Sequence, residues 1–358
     1  MNNITGNMMM NFYRLILLAC GLLTTVPSIS NAKEADQLFR SHDTLAVTIS
    51  GPFATINKER EKEKRYPGAK LVYDDIEKGR IALNTKLEVR GNFRLRKKIC
   101  RFPPLRLRFD KAETKGTLFH GQKKIKLVTA CMPKSNRYQQ YVFQEYLIYR
   151  MFNLLTDRSF KVRLAEVSYV DTPDGKQTNS GFGFFIEDKA RMRKRLGMKK
   201  VEHHKVSFSE LNEEQLALVS IFQFMIGNAD WSALQGEIGE SCCHNAVLAS
   251  GEDDRYFVIP YDFDFTGLVN PSYAFPNKQL GQRTIKTRVY RGHCELNPLV
   301  DSTLQRFHTK RDDLYKLISE FALLNQKTVK KTLAYLDSFY RIIENEKQWK
   351  AKIIKRCR

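Results

Sequence analysis

The sequence lacks most of the patterns that place a chain in a class at a glance. Its 358 residues contain no CxxC…CxxC pair and no HExxH, which argues against the common zinc sites. Nineteen glycines are too few for a collagen-like chain, no heptad pattern supports a coiled coil, and no internal repeat is evident. A single apolar run argues against a multi-pass membrane protein. Acidic residues are scarce: 39 Asp+Glu stand against 60 Lys+Arg, a formal charge of +21. That imbalance suggests an anionic partner. A hydrophobic share of 42% nevertheless excludes a disordered polycation and leaves ample material for a core. The length predicts about two domains or lobes.

The first residues set the expected location. Arg14 precedes an apolar stretch from Leu15 to Val26, followed by Pro27 and Ser30-Asn31-Ala32. This reads as a signal peptide over 1–32 rather than a membrane anchor, because the apolar run is short for a span. Leu17-Leu18-Ala19-Cys20 resembles a lipobox, and a lipoprotein form through Cys20 is the lesser expectation. Removing 1–32 loses one Arg and no acid, so the charge falls by one to about +20. Export to the periplasm or beyond argues against nucleic acid as partner and leaves no membrane span after cleavage. Six further cysteines (Cys100, Cys131, Cys242, Cys243, Cys294 and Cys357) suit an oxidising compartment.

Along the chain, Leu45–Ile49 reads as a strand, and the Lys/Glu run from Lys58 to Arg65 as a solvated helix face or loop. Leu87–Arg90, Leu105–Phe109 and Ile125–Leu127 alternate apolar and polar residues as half-buried strands do. Cys100 and Cys131 fall near strand ends and are candidates for a bridge. Residues 138–155 show helical spacing; strands return at Arg163–Val170 and Gly183–Ile186. A helical segment covers Leu211–Ile226, a strand Tyr256–Pro260, and two helices Ser302–Leu324 and Thr328–Ile353. The expected fold is α+β and two-lobed: a strand-rich lobe over 33–187 with one long helix, and a mainly helical lobe over 188–358. The lobes would meet near Glu187, with a cleft between them.

Several polar positions fall where such a cleft would need them. Gly227-Asn228-Ala229-Asp230 ends an apolar helix, Asn245 follows, and Asp262 and Asp264 close an apolar strand. Lys126 lies in a strand and Glu145 in the long helix. Carboxylates, an amide and a cation together are the inventory of metal-assisted phosphoryl transfer, and the oxygen-rich set suits Mg²⁺ or Mn²⁺. Against this stands the bland reading that Asp230 merely ends a helix in an Asn/Asp turn. His244 shows no metal-like spacing and reads as an ordinary surface or core residue.

Arg90-Gly91-Asn92, the basic strand Pro104–Phe109, Lys124–Leu127, Gln144-Glu145-Tyr146, Phe185–Asp188, Gly227-Asn228-x-Asp230 and Ile259–Asp264 together resemble the spore-coat CotH kinase family, over residues 86–270. That family belongs to an atypical protein-kinase-like fold. The resemblance implies that Lys126 contacts the ATP phosphates and pairs with Glu145. It implies Asp230 as the catalytic Asp, and Asn245, Asp262 and Asp264 as metal ligands. Glu187 would mark the hinge at adenine, and Arg90 to Arg94, Asn92 included, would replace the phosphate-covering loop. Asp262 and Asp264 would share a face as alternate residues of an extended segment.

Three departures from that family's pattern stand out. The glycine after the metal Asp is replaced in Asp262-Phe263-Asp264, and Trp231 follows Asp230. The long gap between Asp230 and Asn245 contains Cys242-Cys243 and reads as an insertion stapled by a disulfide, with Cys294 as the candidate partner. The leading expectation is an exported ATP- and metal-dependent kinase acting on a hydroxyl of a protein, Ser or Thr. The alternatives are an inert, disulfide-stabilised module that binds anionic polymers, a glycan kinase and an AMP transferase.

Overall fold

Alternation at period two builds a closed barrel. A computed structural model describes residues 34–236, 239, 241–251 and 254–358. The expected leader 1–32, with Cys20, lies outside the described residues. Seven strands follow in chain order: β1 (Leu45–Gly51), β2 (Arg65–Asp75), β3 (Gly79–Val89), β4 (Leu105–Arg108), β5 (Lys124–Thr129), β6 (Val162–Asp171) and β7 (Gln177–Ile186). They close in the order β1-β2-β3-β4-β5-β7-β6. All neighbours are antiparallel except β1 and β6, which pair in parallel from Leu45↔Ala165 to Gly51↔Asp171 and seal the barrel. Leu71, Leu87, Leu105, Leu107, Leu127 and Phe185 fill its interior and are fully buried. Each such side chain removed from water contributes roughly 1.5–3 kcal/mol.

Helix α1 (Phe53–Glu59) follows β1, and α2 (Asn136–Leu155) runs between β5 and β6. Helix α2 is buried on most sides: Tyr146, Leu147, Ile148, Met151 and Phe152 are all inside. They share one apolar core with Val128, Phe184 and Ile186 of the barrel. The same core takes in α4 (Glu213–Ile226), which follows α3 (Lys189–Leu196). A second sheet joins β8 (Lys199–Lys200), β9 (Ala246–Ser250) and β10 (Tyr256–Pro260) in the order β10-β9-β8. Helices α5 (Val300–Thr309), α6 (Arg311–Ser319), α7 (Gln326–Ile343) and α8 (Glu346–Lys352) complete the chain.

The two-lobed kinase-like expectation is therefore corrected. The strands form a closed seven-stranded mixed barrel rather than one lobe of a two-lobed kinase-like fold, and the described residues fall in one compact unit. The physical reason is the shared core. Phe184 and Ile186 of β7 and much of α2 and α4 pack in a single cluster, so the chain does not part near Glu187. The two helices expected at the C-terminal end are each broken in two. Asn325 caps α7, and Asn345 begins α8 with its side chain accepting from Gln348 N–H. Strand β2 has no counterpart in the sequence reading, because Pro67 and Gly68 interrupt its alternation at a bulge between Tyr66 and Ala69.

Disulfides join Cys100 to Cys131 and Cys294 to Cys357, and the adjacent Cys242 and Cys243 bridge to each other. The expected partnership of Cys294 with the 242–243 pair is thus corrected: the C-terminal end returns beside Cys294, where Arg358 C=O accepts from Cys294 N–H. These bridges are compatible with an oxidising, extracytoplasmic setting. Among the described residues no helix is long and apolar enough to cross a membrane.

Candidate functional site

The site starts from a basic wall. Because β4 and β5 send Leu105, Leu107, Ile125 and Leu127 inward, Arg106, Lys124 and Lys126 stand on the outer face of the barrel. Register sets Lys126 opposite Arg106 on one side and Ile186 on the other. Facing this wall are Tyr261, just past β10, and Lys189 at the start of α3. Between them lies a cavity of about 250 Å³. The ammonium groups of Lys126 and Lys189 stand 4.7 and 4.5 Å from the centroid of the Tyr261 ring. Burial, then the charges of Arg90 and Lys189, pull the Lys126 ammonium down to about 7.

The two acids at the edge do not neutralise this wall. The Glu187 carboxylate is held by Arg195 through two hydrogen bonds of 2.9 Å, and its N–H donates to Lys161 C=O. Glu187, the expected hinge at adenine, is thus engaged within the fold while bordering the cavity. Asp188 accepts from Ala190 N–H at the start of α3 and lies 3.9 Å from Lys124. Arg106 is paired with the buried Glu88 at 2.5 Å, so Lys124, Lys126 and Lys189 against one tied and one shared carboxylate leave a positive field suited to phosphate oxygens.

Beside the wall, carboxylates gather. Pro260 ends β10, and Asp262 then takes a left-handed backbone conformation at φ 64°. Its N–H donates to Tyr149 Oη at 2.9 Å, tying the turn to α2. A positive φ at a residue other than glycine carries a conformational cost that functional sites commonly bear. The expected extended segment is corrected accordingly: a turn, not alternation along a strand, brings Asp262 and Asp264 together. Asp264 is buried, accepts from Tyr273 Oη at 3.1 Å and lies 3.9 Å from an Arg94 nitrogen. Burial, then the Asp262 charge, pushes the Asp264 carboxyl up to about 6. Glu145, buried on α2, is driven well above the ordinary range by burial and then by Asp264 and Asp262; Arg94 and Arg90 oppose the shift.

The expected pairing of Lys126 with Glu145 is corrected as well. Among the described residues they make no ion pair, because Lys126 lies over Tyr261 on the barrel's outer face. Glu145 faces the arginines instead. Arg90 is bonded to the carbonyls of Leu105 (3.1 Å) and Leu127 (3.5 Å), and Arg94 to Thr129 C=O at 2.5 Å. These contacts aim both guanidinium groups at the carboxylates, whereas Asn92 is exposed between them. Both arginines, expected in the phosphate-covering segment, are thus engaged with carbonyls of the fold and act on the buried carboxylates.

Asp230 occupies a third position. Helix α4 ends at Gly227, whose φ of 66° and closeness to Tyr335 leave no room for a Cβ. Asn228 then accepts from Asp230 N–H at 2.8 Å, an Asx turn that presents the half-exposed Asp230 carboxylate. His244 Nε2 stands 2.7 Å from one carboxylate oxygen, and Asn245 Nδ2 donates to the other at 3.0 Å. Asn245, expected beside the metal, is therefore brought to Asp230; its C=O accepts from Tyr261 N–H, which locks the loop to β10. Asp230 is near enough for its charge to act on Asp264.

Among the described residues no three His, Cys, Asp or Glu side chains form a ready-made metal site. The donors still fit a hard divalent cation of the kind held by one or two carboxylates plus phosphate oxygens and water. Asp264, whose proton affinity is raised by burial and by the Asp262 charge, and Asp262 beside it have the charge balance of a site that accepts a cation.

These shifts predict a pH profile. Asp264 and Glu145 bind protons more tightly folded than unfolded, so both add stability at acidic pH, and the Asp264 share is lost as pH rises through about 6. Lys126 acts in the opposite sense: its burial costs stability below about 7, and that cost fades as pH rises toward the ordinary lysine range. Without ligand, the site contributes least between these two values. Denaturant titrations across pH check this. Asp264→Asn is expected to reduce the gain on acidification by about 3 kcal/mol, and Lys126→Met to remove the gain on the alkaline side.

The structure thus joins Lys126, Glu145, Asp262 and Asp264 through a network of charge, with Arg90 and Arg94 as counter-ions, and sets Asp230 with Asn245. It adds His244, Tyr261 and Arg106. Nothing in the sequence marked Tyr261 as a platform for ammonium groups, whereas the position of His244 next to Asn245 was a usable signal. No family model matches the chain, and no curated protein matches it.

Proposed function

We propose that this chain is an exported, ATP- and metal-dependent phosphotransferase acting on a hydroxyl group, with Ser or Thr of a protein as acceptor. The observation that carries this reading is the cavity walled by Arg106, Lys124, Lys126 and Lys189. Its far side is apolar and aromatic, with Tyr261, Phe160 and Ile186, and Lys126 feels the Asp262 charge. Clustered cations beside flat apolar surface suit a nucleotide's phosphates and base. The residue pattern resembling the CotH family points to the same chemistry.

In this reading Lys126 and Arg106 bind phosphate oxygens, and Asp262 and Asp264 hold the metal. A bound Mg²⁺ or Mn²⁺ would offset the charge that builds on the transferred group. Asp230, oriented by His244 and Asn245, takes the proton from the acceptor hydroxyl. The acceptor oxygen bonds to the γ-phosphorus as the bond from that phosphorus to the bridging oxygen breaks, releasing ADP. A second cavity of about 340 Å³ borders Asp230, with Phe265, Phe275, Pro276 and Ile285 as apolar walls, and would receive the acceptor. It shares no lining residue with the nucleotide cavity.

Incubating residues 33–358 with γ-labelled ATP and Mn²⁺ or Mg²⁺, on the protein itself and on a panel of protein acceptors, tests the proposal. Label transfer by the wild type that is lost in Asp262→Ala supports it. Equal absence of transfer in both overturns it. Intact-mass measurement separates phosphate from AMP as the group moved.

A further inference from the structure

The largest of the cavities described here lies elsewhere. About 560 Å³ in volume, it opens beside α1, the β6–β7 turn and the segment after Cys131, and shares no lining residue with the two cavities above. Phe53, Phe102, Met132 and Pro133 give it apolar walls. Phe53 and Phe102 pack on Tyr169, with ring centroids 5.3 and 4.8 Å away, so the aromatic wall is braced from behind.

One lining residue is out of place in such a wall. Asp171 is 6% exposed, yet its Oδ1 has no hydrogen-bond partner. Its Oδ2 accepts only a long 3.3 Å bond from Ala54 N–H. Among the described residues no cation pairs with Asp171. A buried carboxyl left this poorly satisfied costs several kcal/mol unless something supplies a donor. Rotation about χ2 is soft for Asp, so Oδ1 can turn toward the cavity at little cost. At the mouth, Arg101 and Lys134 are exposed and positive.

We propose that this cavity is a binding site for a small organic ammonium ion with an aromatic body. The ammonium group bonds to Asp171, the ring lies against Phe53 and Phe102, and an anionic group at the far end meets Arg101 and Lys134. Nothing in this proposal depends on phosphoryl transfer.

The test uses residues 33–358 and three probes in calorimetric titrations: phenethylamine, the zwitterion 4-(2-aminoethyl)benzoate, and 3-phenylpropionate, which lacks the amine. The zwitterion is expected to bind most tightly at low salt, phenethylamine next and the anion least. Asp171→Asn is expected to weaken both amines by roughly tenfold or more, with the thermal response to ATP and Mn²⁺ unchanged. Lys134→Glu, at an exposed position, is expected to weaken the zwitterion and strengthen phenethylamine, a pair of opposite signs that misfolding does not produce. Three results would overturn the proposal: no saturable binding of either amine at millimolar concentration, tighter binding of the anion, or equal amine affinity in wild type and Asp171→Asn.

Discussion

Asp230→Asn is expected to slow phosphoryl transfer by roughly a hundred- to ten-thousand-fold, the usual value of a positioned general base. Nucleotide affinity should change no more than a few-fold, because Asp230 borders the acceptor cavity and not the basic one. The Asn amide can still bond with its neighbours, so the loss would report the missing proton acceptor rather than a collapsed loop. Single-turnover rates and ATP titrations on the same preparation separate the two quantities. A variant that loses both together would place Asp230 in nucleotide binding, and one that loses neither would remove it from the chemistry.

Arg94→Ala should have the largest effect on stability. Arg94 bonds to Thr129 C=O, lies near Asp264 and opposes the raised proton affinity of Glu145 and Asp264. Removing it leaves buried carboxylates uncompensated, which typically costs about 3–5 kcal/mol. For a chain of this size that is a fall in Tm of about 4–7 °C. The deficit should shrink below about pH 6, where Asp264 takes up a proton. Scanning calorimetry at pH 5 and pH 8 measures both. A deficit that is small, or equal at the two pH values, would show that Arg94 is not the counter-ion of this cluster.

Local structure was largely legible in the sequence, and its global arrangement was not. The alternation of Leu105–Phe109 and the apolar spacing of residues 138–155 predict β4 and α2, because period and burial follow directly from the residues present. Closure of the barrel depends on the parallel β1–β6 pairing, a contact between segments over a hundred residues apart that leaves no local mark. The absence of a lobe boundary has the same origin: α2 and α4 are each buried on nearly every side, so neither shows which neighbour it will face. At the site, Asp230, Asp262 and Asp264 were visible from their junctions and Lys126 from its place in an alternating strand. The charges that act on Glu145 were not, because feeling Arg94 and Arg90 rather than Lys126 depends on which barrel face each occupies. Backbone geometry was hidden for a related reason: Asp262 reads as extended after an apolar strand, and only the tie of its N–H to Tyr149 shows the turn.

We propose that the basic cavity and the Asp262–Asp264 pair act as one nucleotide–metal site. Thermal unfolding of residues 33–358 with ATP, with Mn²⁺ and with both tests it most directly, because only a joint site makes the two ligands cooperate. The expected result is a Tm rise with ATP and Mn²⁺ together that exceeds the sum of the separate rises, and that is lost in Asp262→Ala. Additive rises, or a joint rise that survives Asp262→Ala, would contradict the account.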